Sequence, residues 1–437
     1  MSQSPQWIAT ARLLRRTGFG TTGRDVDAVV GQDRSAYLDA ALALDPDADP
    51  GAVATPMPVT PMPPFPSPTA STAENDAFIA QCLVQTGELV SWWIRRMAAV
   101  RQPLHEKLTL LWHNHFAVSS EKVRVAELMS RQNAKLRALK LGDFRTFAYA
   151  MLTDEAMNHW LDGIRNTKQA PNENLSREFM ELFTLGHGNG YTENDVREGA
   201  RALTGRYVLP GGVTGVLPDQ HDSTSKTVLG VTGNLDDSAF CDIVLNQPAA
   251  APFIARKLWL LLASDDPPSD ATLGRLVAAY GPGRDLRALT KAILMDQEFD
   301  ARAGTLVNNP IEWLIGAVRS LSVPLDSDQV LAEFDAVLAV MGQRPFYPPD
   351  VNGWPRGLPW LSTAGTAARV WAADRLVGLG DLSSVETASA GDRVDAAGYL
   401  LGVGAWSPRT VAALQPLSDD PPTLIAAAIN SPEYLTS

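Results

Sequence analysis

Three stretches of the chain carry the side chains that could do chemistry: Trp112-His113-Asn114-His115-Phe116, the run from Asn174 to Glu181, and Asp219-Gln220-His221-Asp222 followed by Lys226. Imidazoles and carboxylates of this kind are the donors for a divalent metal such as Zn, Mn or Fe, and the acids and bases of proton transfer. His113 and His115 stand two residues apart, about 200° around a helix, so both reach one metal only if the helix ends or bends between them. Alternatively, His115 is a hydrogen-bonded core residue in line with Leu108 and Trp112, and His113 an exposed helix end. Spacings of four and three put Asn174, Glu178 and Glu181 on one helical face, while Glu173, Arg177 and Glu181 form a ladder on an adjoining one. Charge that dense beside Leu175, Phe179, Leu182 and Leu185 is costly to bury unless it is paired or binds something. It serves either as a salt-bridged face joined to its neighbour through Arg197 and Arg201, or as a site. In the second case Glu178 or Glu181 is an inward ligand or general base, and Arg177 holds a carboxylate or an anionic substrate. His113, His115, His221 and Asp222 complete the metal-ligand set expected from the sequence.

A fourth candidate is aromatic. Trp354-Pro355 and Pro359-Trp360 offer flat faces and rigid backbone that suit a sugar or a peptide, with Asn352-Gly353 as the turn that presents Trp354. The same pattern also suits a packed clasp.

These groups need a scaffold, and apolar periodicity near 3.6 predicts helices for most of it. Helices are expected over 6–16, 25–44, 74–102, 104–116, 121–139, 143–152, 154–160, 173–186 and 193–205, and again from about 236 to 430. Between Pro50 and Pro68 eight prolines predict neither helix nor inner strand, but extended polyproline-type chain over the surface or a mobile linker. Residues 207–233 break the helical pattern with short β-prone pieces at Tyr207–Leu209, Val213–Leu217 and Thr227–Leu229, separated by Gly-Gly, Pro-Asp and Gly turns, which predicts a small β-hairpin insertion. The fold class expected is therefore mainly α: a multi-helix orthogonal bundle forming a single large domain over 1–437. Its possible sub-division is a helical half over 1–205, the insertion over 206–235 and a second helical half over 236–437.

The chain has 437 residues, 45% of them apolar, with 37 Lys and Arg against 49 Asp and Glu for a net charge of −12. Neither a nucleic-acid backbone nor an anionic membrane is the partner such a balance favours. Two cysteines, Cys82 and Cys241, provide no disulfide framework and no metal knuckle, and are expected as buried apolar groups. The apolar run Leu258–Ala263 is far shorter than the roughly 20 residues that span a bilayer, and the first residues pass into amphipathic helix without a secretory h-region. A cytoplasmic protein is the expectation. GxGxxG, the Walker lysine motif and GxSxG are all absent, which argues against nucleotide binding and serine hydrolysis.

ARLLRRTGFG at 11–20, LTLLWHNHFAVS at 108–119, NENLSREFMELFTLG at 172–186, GYTENDVREGARALTG at 190–205, HDSTSKTVLG at 221–230 and MGQRPFYPPDVNGWPRGLPWLS at 341–362 together resemble one bacterial family, catalogued as domain of unknown function number 1800. The resemblance implies a mostly helical domain and no particular reaction. It also implies a possible partner, the product of a neighbouring sulfatase-like gene. Two functions stay open on these grounds: a metal-dependent enzyme, a hydrolase by guess, or a non-catalytic accessory protein that recognises a protein partner or a polysaccharide.

Overall fold

A computed structural model describes residues 2–209, 213–302 and 304–436. Eight helices that build or brace the candidate site are labelled here in chain order: α1 (Pro5–Arg16), α2 (Thr72–Ala99), α3 (Leu104–His115), α4 (Ala126–Leu139), α5 (Asn174–Glu178), α6 (Glu193–Ala202), α7 (Ala250–Leu262) and α8 (Pro310–Ser320). Shorter helices fill the intervals, and the strands form two antiparallel pairs, so the fold is mainly α with a small β insertion. One contiguous apolar cluster runs from Leu13 to Tyr434 and draws on both halves of the chain.

Helix α3 lies at the middle of that core, and Asn114 is its one residue that is not buried. Two of its buried side chains, Glu106 and Lys107, are ionisable. Removing each from water costs several kcal/mol, so each needs opposite charge and well-made hydrogen bonds. Glu106 accepts from Trp93 of α2 at 3.0 Å, from Arg96 of α2 at 3.1 Å and from Arg137 of α4 at 2.7 Å. Burial alone would raise its pKa, but Arg137 and then Arg96 outweigh burial and bring it down to about 2. Lys107 pairs with Glu312 of α8, whose other oxygen lies 3.9 Å from Arg16 of α1. Glu312 also closes the capping box that starts α8: Asn309 Oδ1 accepts from its backbone N–H, and its carboxylate accepts from that of Asn309. Thus α3 is tied to α1, α2, α4 and α8 by charges that apolar packing alone would not orient.

Local departures from the sequence reading have local causes. The helix expected over 25–44 is two, Gly23–Val29 and Arg34–Ala43, because Asp33 caps the second. That expected over 121–139 is broken at Arg124, whose φ of 60° lies outside the right-handed helical region. The proline segment is not wholly extended: Pro50–Ala54 forms a short helix, with proline at its first position, where a missing N–H costs nothing, and Asp49 as cap. Beyond it the chain runs extended and is pinned by Gln85 donating to Pro61 O at 3.0 Å and by the Thr60–Ser130 hydroxyl pair at 3.1 Å. The insertion contains two hairpins, β1 (Arg206–Leu209) with β2 (Val213–Val216) and β3 (Lys226–Val228) with β4 (Val231–Gly233). The Gly211-Gly212 turn anticipated between the first two lies outside the described residues. Cys82 and Cys241 are free and buried, and burial pushes the Cys241 thiol up to about 12. Among the described residues no helix is long and apolar enough to cross a membrane.

The Glu106 cluster makes a testable demand on stability. Glu106→Ala strands Arg96 and Arg137 in the core, and urea denaturation should show a loss of about 3–5 kcal/mol. Because its pKa is lowered on folding, the contribution of Glu106 is complete above its ordinary value of 4.5 and is lost as pH falls from there toward about 2. The variant's stability curve should be flatter than wild type across that window, by on the order of 3 kcal/mol.

Candidate functional site

The two histidines of α3 face different neighbours. His113 is fully buried rather than an exposed helix end, with its ring centroid 5.2 Å from Trp93, 5.4 Å from Phe346 and 5.5 Å from Trp354. Neither of its ring nitrogens has a hydrogen-bond partner among the described residues, and burial lowers its pKa to about 3, so it is a neutral ring in an aromatic box. His115 points instead into Trp112, Phe116, Phe144 and Phe183, with Nε2 3.1 Å from Phe183 O. Burial first, and then the charge of Lys257, hold it well below the ordinary histidine range.

The acidic helix is only partly α-helical. Asn174–Glu178 is α, but Phe179–Thr184 is a π-turn, in which Leu185 N–H reaches back to Met180 O. π-turns occur often at functional sites, and this one breaks the even face assumed for an α-helix over 173–186. Arg177 still bonds Glu173 at 2.9 Å, and both its terminal nitrogens donate to Glu193 of α6 at 2.7 Å. Arg177 is therefore fully engaged in joining α5 to α6, not open to a substrate. Glu181 leaves that ladder, accepting from Tyr191 OH at 3.0 Å and lying 2.6 Å from His187 Nδ1. Asn174 sits at the start of α5 and donates to Asp162 at 3.4 Å. Glu178 is half-buried and has no hydrogen bond or ion pair among the described residues. Burial, then Glu181, and more weakly Asp350 push its carboxyl above the ordinary range against the opposing pull of Arg177.

The third stretch is structural. Asp222 accepts from Arg201 at 2.7 Å and from Thr224, which holds its carboxyl far below the ordinary range despite some burial. Arg201 also chelates Glu198, whose carboxylate accepts from Thr227 N–H at 3.0 Å, so the second hairpin is clasped to α6. His221 Nδ1 lies 2.9 Å from Thr204 O. His113, His115, His221 and Asp222 consequently each belong to a different local environment or a made ion pair. Among the described residues no three His, Cys, Asp or Glu side chains are grouped so as to hold a metal ion. Trp354 and Trp360 are buried to 3% and 5% exposure, so neither offers an open face for a sugar to stack on.

The 350–356 segment and the end of α3 do come together. Gly353 has φ of +82°, and a Cβ there would stand 2.2 Å from Asn114 Oδ1. The glycine is required for both reasons. It lets Asn114 Oδ1 accept from Trp354 N–H at 2.6 Å, which pins the turn to the half-buried position of α3. The turn forms one wall of a cleft of about 330 Å3, with Asn114, Lys257, Asp350, Asn352, Trp354 and Arg356 among its lining residues. Two cations thus share one small hollow. Lys257 makes no hydrogen bond or ion pair among the described residues, and burial followed by the repulsion of Arg356 lowers its pKa to about 8. Arg356 is held by Leu260 O at 3.4 Å and by Asp265 at 3.8 Å.

Lys257, Arg356 and Asn114 were passed over in reading the sequence. A signal existed for the first: Lys257 stands three residues after Ile254 and four before Leu261, on the apolar stripe of α7, where an ordinary lysine would face the core. Over residues 12–436 the chain matches a family described as "Protein of unknown function (DUF1800)". It belongs to that family. No curated protein and no solved structure matches the chain.

If Asn114 anchors the turn, Asn114→Ala leaves the Trp354 N–H without its acceptor and should cost about 1–3 kcal/mol. Gly353→Ala, strained and clashing, should cost a comparable amount. Because both act on one turn, the double variant should lose less than the sum in urea denaturation followed by tryptophan fluorescence.

Proposed function

We propose that the protein binds an anionic ligand, a carboxylate, sulfate or phosphate group, in the cleft lined by Lys257, Arg356 and Asn114, and that it acts as a binding or accessory protein. The observation that carries this reading is Lys257: a half-buried lysine that makes no ion pair among the described residues, beside a second cation, in a hollow that an anion can enter. A buried charge left unpaired is destabilising, and an arriving anion relieves that cost. The Asn114 amide adds a donor, and Pro349, Pro355 and Leu261 supply an apolar wall that sharpens the electrostatics. A metal-dependent hydrolase needs a converging ligand set, and the donors expected for Zn, Mn or Fe lie apart. A protein partner, such as the product of a neighbouring sulfatase-like gene, fits the accessory role and is tested by co-purification.

Thermal unfolding at fixed ionic strength tests the reading. Sulfate and a dicarboxylate such as oxalate should raise Tm at pH 7, and Lys257→Met and Arg356→Met should each abolish the rise. The rise should fade as pH climbs through about 8, where Lys257 loses its proton. Without ligand, Lys257→Met should be the more stable protein below that pH by about 1–3 kcal/mol. The sign follows from linkage: a lysine whose pKa falls on folding binds more protons unfolded between about 8 and 10.5, so wild-type stability recovers as pH rises across that interval. Equal anion effects in wild type and both variants would contradict the proposal.

A further inference from the structure

A second, larger cavity lies away from the Lys257 cleft. It measures about 980 Å3 and opens between residues 20–25, the C-terminal end of α2, the end of α8 and the 381–400 region. Its volume stands at the upper end for small-molecule sites and accommodates several linked rings. Part of its wall is fixed. Arg319 donates to Ala98 O at 2.8 Å and Val100 O at 2.7 Å, satisfying carbonyls at the end of α2, and Arg95 bonds Leu325 O at 3.0 Å and Asp328 at 2.8 Å. Other lining groups are less tied, although Asp381, whose carboxyl is lowered in pKa first by hydrogen bonds from Ser383, also feels the nearby Arg24. Arg24, Arg101 and Asp326 are exposed, and among the described residues their side chains make no hydrogen bond or salt bridge. Hydroxyl-bearing residues, Ser322 and Ser384 among them, stand between.

This mixture discriminates between ligand classes. A polyphosphate or nucleic-acid backbone offers acceptors only, and Asp25, Asp326 and Asp381 along the same walls would repel it. A cationic ligand would meet four arginines. A sugar carrying carboxylates offers anionic groups to guanidinium and hydroxyl donors to aspartate, so both sets are used. We infer that this cleft is a binding site for an acidic oligosaccharide, with Arg24 and Arg101 taking uronate carboxylates and Asp326 accepting from ring hydroxyls. The site is separate from the Lys257 cleft and does not depend on the reading given to it.

Calorimetric titration of the full chain with a galacturonate tetramer, at constant ionic strength, tests the inference. Binding should be seen in wild type, should weaken at least tenfold in the Arg24→Glu/Arg101→Glu double variant, and should be unchanged in Lys257→Met. The charge reversals fall on exposed side chains that make no hydrogen bond or salt bridge among the described residues, so circular dichroism should report an intact fold. Ser384→Trp, which fills the cleft without changing charge, should weaken binding by a similar factor. No binding by wild type, full binding by both variants, or displacement of the tetramer by an equal concentration of tripolyphosphate would each overturn it.

Discussion

The constraint on which this structure rests is the burial of a charged helix at its centre. α3 is enclosed along its length, and Glu106 and Lys107 sit side by side on it with almost no water to solvate them. Their counter-charges come from three other helices, Arg96 and Arg137 for Glu106 and Glu312 for Lys107, and Glu312 in turn faces Arg16 of a fourth. Apolar packing is tolerant of sliding, but a buried carboxylate with three donors is not, since a shift of an ångström leaves a charge unpaired. The network therefore sets the position of α3 among its neighbours as well as contributing to stability.

That position has a consequence at the far end of the helix. His113 and His115 are turned into separate aromatic surroundings, and Asn114, between them, is the residue α3 presents outward. Its amide oxygen fastens the Gly353-Trp354 turn, which brings Arg356 to the same hollow as Lys257 of α7. The π-turn at 179–184 lies behind, with the Phe183 carbonyl on His115 and with Glu181 turned onto Tyr191 and His187. Beside these satisfied pairs, Lys257 makes no hydrogen bond or ion pair among the described residues. The contrast between spent charges, such as Arg177 and Asp222, and the free Lys257 is what distinguishes scaffold from site.

Much of the scaffold was legible in the sequence. Helical periodicity, the interruption after residue 206 and the buried cysteines follow from local rules that packing did not override. The site was less so. Residues of reactive type stand at His113, Glu178, Arg177 and Trp354, yet sequence spacing cannot say whether a charge finds its partner in a helix sixteen residues away, as Arg177 does at Glu193, or finds none. The π-turn is equally hidden, because one extra residue per turn leaves no mark on composition. Lys257 could have been suspected only from its place on an apolar stripe, a weak sign since lysine stems lie over apolar surface throughout proteins.

The claim at the centre of this account is that Lys257 is an unpaired, desolvated ammonium awaiting an anion. Titration of its Nζ by NMR, in protein labelled at lysine, observes that directly. The account predicts a midpoint near 8 in the free protein, moving upward when sulfate is added. A midpoint near 10.5 that sulfate leaves in place would contradict it.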